Sequence, residues 1–205
     1  MIGILDYGLG NVNAFLNIYN HLGISAGKIS DPLDFQQATH LILPGVGSFD
    51  WAMTRLQNSG LRPSLDDFVL SQCKPILGIC VGMQMMAESS QEGKLPGLGW
   101  IKGIVNRFDD SRSKSPLCLP HMGWNDVQTF THPLFAQIHD QSFYFLHSYY
   151  FSPSEPQATI ASTTYGLTFA SSVGCASILG VQFHPEKSHQ AGVQLLKNFS
   201  SISHA

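Results

Sequence analysis

Short apolar runs alternate with amphipathic stretches along the first half of the chain. Residues 1–5, 40–43 and 75–77 are apolar runs of strand length, and a stretch between the first two has helical periodicity. Because strands and helices that alternate at this spacing form parallel sheets, the pattern predicts an α/β fold with a mostly parallel central sheet. Gly23 is placed to end the first helix, whose predicted buried face consists of Val12, Phe15, Leu16, Tyr19 and Leu22.

The second half of the chain has a more β-like pattern. Short apolar segments occur near 143–145, 159–162 and 169–173, and we expect them to form a second, small β-rich region. Residues 191–199 have the periodicity of an amphipathic helix. The polar stretch 109–116 is predicted to be an exposed loop and not a linker, so residues 1–205 are expected to form a single domain.

A cysteine between two glycines follows the third apolar run. Residues 78–82 read Gly-Ile-Cys-Val-Gly, and a helix is predicted to start within residues 83–87. This is the thiol version of a nucleophile elbow, a strained turn from strand to helix whose crowding glycines tolerate. The positive end of the helix favours a thiolate, so Cys80 is predicted to be a nucleophile. A lone cysteine in such a position is more often a core residue, but the paired glycines favour catalysis.

A histidine near the C-terminus is the candidate base for this cysteine. His184 leaves the end of another apolar strand, and Glu186 follows two residues later. This spacing allows the carboxylate of Glu186 to hold the imidazole in one tautomer and to stabilise its cation. Cys80, His184 and Glu186 together make a set for covalent catalysis, although the order of such residues along the chain proves nothing by itself.

A glycine-rich strand end is the candidate oxyanion site. The apolar run 40–43 continues into Pro-Gly-Val-Gly-Ser over residues 44–48. A carbonyl under attack by a thiolate develops negative charge on its oxygen, and backbone N–H groups at such a strand end stabilise that charge. We expect the N–H groups of Val46, Gly47 and Val81 to act in this way.

Composition and charge exclude several classes of function. The formal net charge is −3 with no basic block, which argues against a nucleic-acid partner, and no apolar run is long enough to span a membrane. The chain opens on a predicted strand and not on a signal peptide. Four cysteines without framework spacing favour free thiols in a reducing cytoplasm.

Two weaker patterns suggest other ligands. Cys118 and His121 have a metal-like spacing, but no second pair accompanies them, so no metal site is expected. Gly8 and Gly10 suggest a dinucleotide-binding loop, but Asn13 stands where the third glycine is needed, so this fingerprint fails.

The motifs together resemble the class I (triad) glutamine amidotransferases. More narrowly, the chain is similar to the glutaminase subunits of imidazole glycerol phosphate synthases. The elbow and the His-Pro-Glu motif are specific for the superfamily, and the His-Met-Gly-Trp-Asn and Tyr-Phe-Leu-His-Ser-Tyr stretches narrow the resemblance to this subunit type. The matching stretches follow the family order and cover residues 6–11, 43–47, 75–86, 96–99, 121–125, 144–149 and 180–188.

The resemblance implies a fold, a reaction and a substrate site. The fold is a flavodoxin-like, mixed and mostly parallel sheet flanked by helices, and the reaction is hydrolysis of glutamine to glutamate and ammonia without a cofactor. Gln84 and Glu92 match positions that hold glutamine, with Glu92 suited to the α-ammonium group. Ser148 and Tyr149 match a segment that binds the α-carboxylate through backbone groups.

The resemblance also implies a partner. Ammonia would pass through a channel to a (βα)₈-barrel cyclase subunit that forms a heterodimer with the glutaminase. The synthase complex would act as a lyase in histidine biosynthesis. The positions that match the interface or channel are Asn11, Trp124, Tyr144 and Lys187. Three alternatives stay open at this point: a glutaminase that serves a surface-polysaccharide sugar amidotransferase, a stand-alone γ-glutamyl cysteine hydrolase, and a non-enzymatic subunit with a decayed site.

Overall fold

The computed structural model describes residues 1–109 and 117–203, so all but the first residue of the loop predicted over 109–116 lies outside the described residues. Its strands are β1 (Ile2–Leu5), β2 (Ala26–Ile29), β3 (His40–Gly45), β4 (Ile76–Cys80), β5 (Ser89–Ser90), β6 (Gly103–Arg107), β7 (His121–Asp126), β8 (Gln128–Thr129), β9 (Ser142–His147), β10 (Tyr149–Pro153), β11 (Thr159–Tyr165), β12 (Leu167–Cys175) and β13 (Ile178–Val181). Its α-helices are α1 (Val12–His21), α2 (Phe49–Asn58), α3 (Arg62–Asp66), α4 (Val81–Gln84) and α5 (His189–Phe199).

The central sheet has eight strands in the order β2-β1-β3-β4-β13-β12-β11-β8. The first five strands pair in parallel, and the remaining pairs are antiparallel. The predicted α/β class with a mixed, mostly parallel sheet is therefore confirmed. The parallel strands β1, β3, β4 and β13 are buried along most of their length, as expected for strands covered on both faces.

The first helix shows how local sequence sets the element boundaries. Asn11 precedes α1, and its side-chain oxygen accepts a hydrogen bond from the backbone N–H of Ala14 at 3.2 Å, so it caps the helix start. Val12, Phe15 and Tyr19 bury the predicted face. Gly23 has a φ of +68°, the left-handed conformation that commonly follows a helix end.

Two small sheets are present as predicted, but only one of the three segments assigned to them, 143–145, lies there. The segments 159–162 and 169–173 belong to β11 and β12, which extend the central sheet antiparallel beyond β13. One small sheet contains β10, β6 and β5, and the other is the antiparallel pair β7–β9, in which Trp124 lies opposite Tyr144 and His121 lies opposite His147. The alternating pattern of β9 buries Phe143, Phe145 and His147 on one face and leaves the intervening residues more exposed.

The packing of the sheet brings three strand ends together. The buried apolar side chains form one cluster that runs from Ile2 to Phe199. Within it β4 lies between β3 and β13, with Gly45 opposite Cys80 and Ile79 opposite Val181. Cys80 is the last residue of β4, and Gly47 and His184 follow the ends of β3 and β13. Since the carboxyl ends of parallel strands open onto one edge of a sheet, all three residues lie at the same edge. Within the described residues, the helices are too short or too polar to cross a membrane.

Candidate active site

Cys80 lies on a strained turn between β4 and α4. Its φ and ψ are +55° and −113°, a conformation that a residue with a side chain rarely adopts. A Cβ on Gly82 would overlap the carbonyl oxygen of Leu43, and a Cβ on Gly78 would lie 2.7 Å from the carbonyl oxygen of Gly82. The glycines on both sides are therefore required for this turn, as the sequence predicts.

The helix after Cys80 differs from its predicted position. α4 starts directly at Val81 and ends at Gln84, whereas the sequence predicts a helix start within 83–87. The carbonyl oxygens of Met85 and Met86 accept hydrogen bonds from the backbone N–H groups of Leu98 and Ile101. These bonds to a distant segment replace the helical bonds that would have continued α4.

His184 and Glu186 form a buried pair next to this turn. Nδ1 of His184 and Oε1 of Glu186 are 2.8 Å apart, and both side chains are 6% exposed. The backbone N–H of His184 donates to the carbonyl oxygen of Tyr144 at 2.8 Å, which fixes the exit from β13. The carboxylate therefore holds Nδ1 as the protonated nitrogen and directs Nε2 away from itself.

The charge on His184 depends on its two partners. Burial by itself lowers the pKa of His184, but hydrogen bonds and negative charge from Cys80 and Glu186 outweigh burial and raise the pKa to about 10. This direction is the one expected for an imidazolium held between a carboxylate and a thiolate. The arrangement matches a cysteine nucleophile paired with a histidine and an orienting acid.

These residues open into one cavity of about 320 Å³. Gly47, with a φ of +87°, lies on its wall, and Cys80 is only 4% exposed at its base. The predicted triad, oxyanion and substrate residues that line the cavity are Val46, Gly47, Cys80, Val81, Gln84, Glu92, Ser148, Tyr149 and His184. Glu186 stands behind His184 and is not part of the wall.

The model of the class-I glutamine amidotransferase family matches residues 5–202. The chain belongs to this family. Its fold agrees, because a solved structure described as a glutamine amidotransferase superimposes with a TM-score of 0.75 at 18% identity, over 98% of this chain and 97% of the other.

Two relatives resemble this amidotransferase over nearly its whole length. A protein of Bdellovibrio bacteriovorus named imidazole glycerol phosphate synthase subunit HisH is 50% identical over 206 residues, which cover 98% of this chain and 100% of the relative. A protein of Leptospira interrogans with the same name is 46% identical over 204 residues, with 98% and 100% covered. The predicted resemblance is thereby confirmed.

Two predicted substrate residues of this amidotransferase already have partners in the protein. Gln84 donates to the carbonyl oxygen of Tyr149 at 2.9 Å and to Oε1 of Gln182 at 3.0 Å, so both hydrogens of its amide are engaged. Glu92 accepts a hydrogen bond from the backbone N–H of Phe49 at 2.8 Å. Partial burial raises the pKa of Glu92 above its ordinary value, partly offset by this bond.

Three of the four predicted interface residues lie together, and the fourth lies elsewhere. Trp124 is 49% exposed and stacks on His189 with ring centroids 5.0 Å apart. Tyr144 packs edge-on against Trp124, and Nζ of Lys187 lies 5.6 Å from the centre of the Tyr144 ring. We call the side chains of Trp124, Tyr144, Lys187 and His189 the Trp124 cluster. Lys187 also lines the cavity. The fourth predicted interface residue, Asn11, caps α1 instead.

A pair of buried histidines that was not predicted from the sequence lies beside the cavity. Nδ1 of His147 donates to the carbonyl oxygen of Tyr149 at 2.8 Å, so Nε2 of His147 accepts from Nδ1 of His121 at 2.9 Å. Asn125 in turn donates to Nε2 of His121 at 3.1 Å. A fixed chain of neutral imidazoles thus supports the backbone at Tyr149. The alternation of His121, Gly123 and Asn125 with the apolar Met122 and Trp124 was a signal of a strand, but only the pairing of β7 with β9 identifies His147 as the partner.

This histidine pair predicts an acid-sensitive fold. Burial lowers the pKa of His121 to about 4. Burial, followed by repulsion from His121 and His184 when these are protonated, lowers the pKa of His147 to about 3, although its hydrogen bond to the carbonyl oxygen of Tyr149 opposes the shift. Since both values lie below the unfolded value of 6.5, the stability that they contribute is present above pH 6.5 and is lost as pH falls. Between the folded and the unfolded pKa, each histidine that is protonated only in the unfolded chain lowers the free energy of unfolding by about 1.4 kcal/mol for every unit by which the pH falls.

The variant His121→Gln removes one of these titrating groups. We expect its free energy of unfolding, measured by urea denaturation between pH 7 and pH 4.5, to fall less steeply than that of the wild type. His139→Gln is the control, because His139 is exposed. Equal slopes for wild type and His121→Gln would contradict the assignment.

Proposed function

We propose that this chain is the glutaminase subunit of an imidazole glycerol phosphate synthase, formed by one domain over residues 1–205. It hydrolyses glutamine to glutamate and ammonia through a thioester on Cys80. The observation that carries the proposal is that Cys80 and His184, which is paired with the buried Glu186, line one cavity in a chain whose relatives are named as subunits of such a synthase.

The first half of the reaction forms the thioester. Glutamine binds with its side-chain carboxamide over Cys80, and the thiolate attacks the carboxamide carbon. The negative charge that develops on the oxygen is stabilised by backbone N–H groups of Val46, Gly47 and Val81, which line the same cavity. The imidazolium of His184 gives its proton to the amide nitrogen, the C–N bond breaks, and ammonia leaves.

The second half of the reaction returns the free enzyme. His184, now neutral, takes a proton from a water molecule, and the resulting hydroxide attacks the thioester carbon. The C–S bond breaks, the sulfur leaves as a thiolate, and glutamate is released. Glu186 holds the imidazole in one orientation through both halves and stabilises its cation, which fits the raised pKa of His184.

The walls of the cavity supply groups for the amino-acid end of glutamine. Glu92, as a carboxylate, suits the α-ammonium group, and the backbone at Ser148 and Tyr149 suits the α-carboxylate. In this proposal the side chain of Gln84 supports Tyr149, because its amide hydrogens are already engaged. Gln84 thereby positions the carboxylate site, and only its side-chain oxygen is left to contact the substrate.

Ammonia must be used where it is made, because at neutral pH free ammonia is mostly ammonium. We infer a heterodimer with a (βα)₈-barrel cyclase subunit that receives ammonia through a channel. The Trp124 cluster is the candidate contact surface, because it adjoins the cavity through Lys187. The apolar side chains of Met122 and Leu146 are also exposed on β7 and β9, the strands that carry Trp124 and Tyr144. Asn11 is proposed as a contact from the resemblance alone. We also place the protein in the cytoplasm, since Cys73, Cys118 and Cys175 are exposed free thiols.

One experiment tests the glutaminase and its partner together. Glutamate release from glutamine is measured for the isolated chain, and again after addition of the cyclase subunit of an imidazole glycerol phosphate synthase loaded with its substrate. Slow turnover alone and faster turnover with the cyclase are expected. Preference for γ-glutamyl peptides, with no effect of the cyclase, would favour a stand-alone hydrolase instead.

The variant Trp124→Ala tests the contact surface. Tryptophans at the centre of an interface contribute about 2 kcal/mol or more, so we expect the dissociation constant for the cyclase to rise about thirtyfold or more. Glutamate release by the isolated chain should remain near the wild-type rate. The control is Leu33→Ala, which removes an exposed side chain (70% exposed) that follows the outermost strand β2. Unchanged binding by Trp124→Ala, measured by calorimetry, would exclude this surface.

A further inference from the structure

A second buried glutamine contacts the sulfur of Cys80. Gln182 directly follows β13 and is 0% exposed. Its Nε2 lies 3.6 Å from Sγ of Cys80, and its Oε1 accepts the hydrogen bond from Gln84. The backbone N–H of Gln182 donates to the carbonyl oxygen of Ser171 at 2.9 Å, which ties the residue to β12.

The neighbours of Gln182 fix which end of its amide faces the sulfur. The carbonyl oxygen of Tyr149 can only accept, so the group of Gln84 that faces it must be the NH₂. That NH₂ group also faces the amide of Gln182, so the latter must present its oxygen to Gln84. The NH₂ group of Gln182 is then left to face Cys80. The chain of hydrogen bonds from Tyr149 to the sulfur has one consistent direction.

A donor in this place has a chemical consequence. An amide N–H stabilises a negative charge on sulfur, but it cannot give up its proton at ordinary pH. It therefore favours the thiolate without competing with His184 for the proton. The sulfur carries this charge before it attacks the substrate and again when it leaves the thioester, and it is nearly neutral in between.

We propose that Gln182 is a catalytic residue that stabilises the Cys80 thiolate, as the attacking species and as the leaving group. The role rests on the proposed glutaminase function, since that reaction uses the thiolate at both points. Gln84 acts in the same chain as a positioning residue, because its bond to Oε1 of Gln182 keeps the NH₂ group turned towards the sulfur. The wall of the substrate cavity at Tyr149 is thus joined to the nucleophile through two side chains.

The variant Gln182→Glu tests this role with little change of shape. Its carboxylate can still accept the hydrogen bond from Gln84, but it presents an acceptor, and not a donor, to the sulfur. We expect iodoacetamide to alkylate Cys80 at least about tenfold more slowly at pH 7, since a hydrogen bond to a charged group is lost and a repulsion is gained. Peptide mass spectrometry separates Cys80 from the exposed thiols of Cys73, Cys118 and Cys175. At pH 10 the rates should converge, which a purely structural defect would not produce.

Two further variants keep the test decisive. Gln182→Met replaces the donor by a side chain of similar length, and it decides the question if Gln182→Glu does not fold. We expect its alkylation at pH 7 also to fall about tenfold. Ser172→Ala is the control, because it too removes a buried hydrogen bond (2.7 Å, to the carbonyl oxygen of Gly180) beside β13, without contacting Cys80. Its alkylation rate should stay within about twofold of the wild type, because its lost bond does not involve the sulfur.

The outcome is separable from the proposed function. Two results would show that Gln182 has no role at the sulfur, even if the wild type hydrolyses glutamine. One is alkylation of the folded Gln182 variants at the wild-type rate at pH 7. The other is a Ser172→Ala variant whose alkylation is slowed as much as theirs. If the wild type does not release glutamate, the proposed function fails, and alkylation still reports whether Gln182 stabilises the thiolate. Support for both requires slowed alkylation and a matching loss of glutamate release in the variants.

Discussion

Replacing Cys80 with alanine is expected to abolish the release of glutamate from glutamine. No other nucleophile of this kind lies at the base of the cavity among the residues that line it, and the imidazole of His184 would have only water to activate. Loss of a covalent nucleophile lowers turnover by about 10⁴-fold or more. The rate is measured as glutamate formed per active site, with and without the cyclase subunit.

The same variant separates the two halves of the proposed synthase. Because the fold and the partner surface are unchanged, Cys80→Ala together with the cyclase should still make product when an ammonium salt replaces glutamine. Cys175→Ala is the matched control, since Cys175 is an exposed thiol on β12 and should leave the rate at the wild-type level. A Cys80→Ala protein that still forms glutamate from glutamine would rule out the thioester mechanism.

Much of the active site was predictable because its residues lie at positions that the local sequence defines. The cysteine is placed by the end of an apolar strand and by its glycine neighbours, and His184 follows another such strand. Parallel strands open onto one edge of the sheet, so two distant segments could be brought together without knowledge of the strand order. This rule places Cys80 and His184 at one edge of the sheet, and the observed pairing of β4 with β13 makes them neighbours there.

The supporting residues were not predictable, because their partners depend on tertiary pairing. Gln182 is flanked by apolar residues, and no local pattern marks it as functional. Its role at the sulfur is recognised only from its contacts with Gln84 and Cys80, which are about one hundred positions away in the sequence. His147 is defined in the same way by His121 across β7 and β9. The predicted helix start within 83–87 was wrong, because α4 already ends at Gln84, where hydrogen bonds from residues 97–101 replace its next turn.

Gly82→Ala is expected to disrupt the elbow and to abolish activity together. The added Cβ would overlap the carbonyl oxygen of Leu43 on the neighbouring strand β3, and this oxygen belongs to backbone inside the central sheet, which cannot move aside. Either α4 shifts and carries Val81 and the sulfur out of line with His184, or β3 separates from β4. We expect a loss of about 3 kcal/mol in the free energy of unfolding and of at least about 100-fold in glutamate release.

Gly27→Ala is the matched control for this variant. Gly27 lies on β2, and its added Cβ would meet only the end of the Met1 side chain at 2.9 Å, which is flexible and can turn away. It should unfold at nearly the wild-type urea concentration and keep the wild-type rate, since no backbone atom has to move. If Gly82→Ala were as stable and as active as Gly27→Ala, the close approach of the elbow to β3 would not be needed, and the strained turn could not be what holds Cys80 in place.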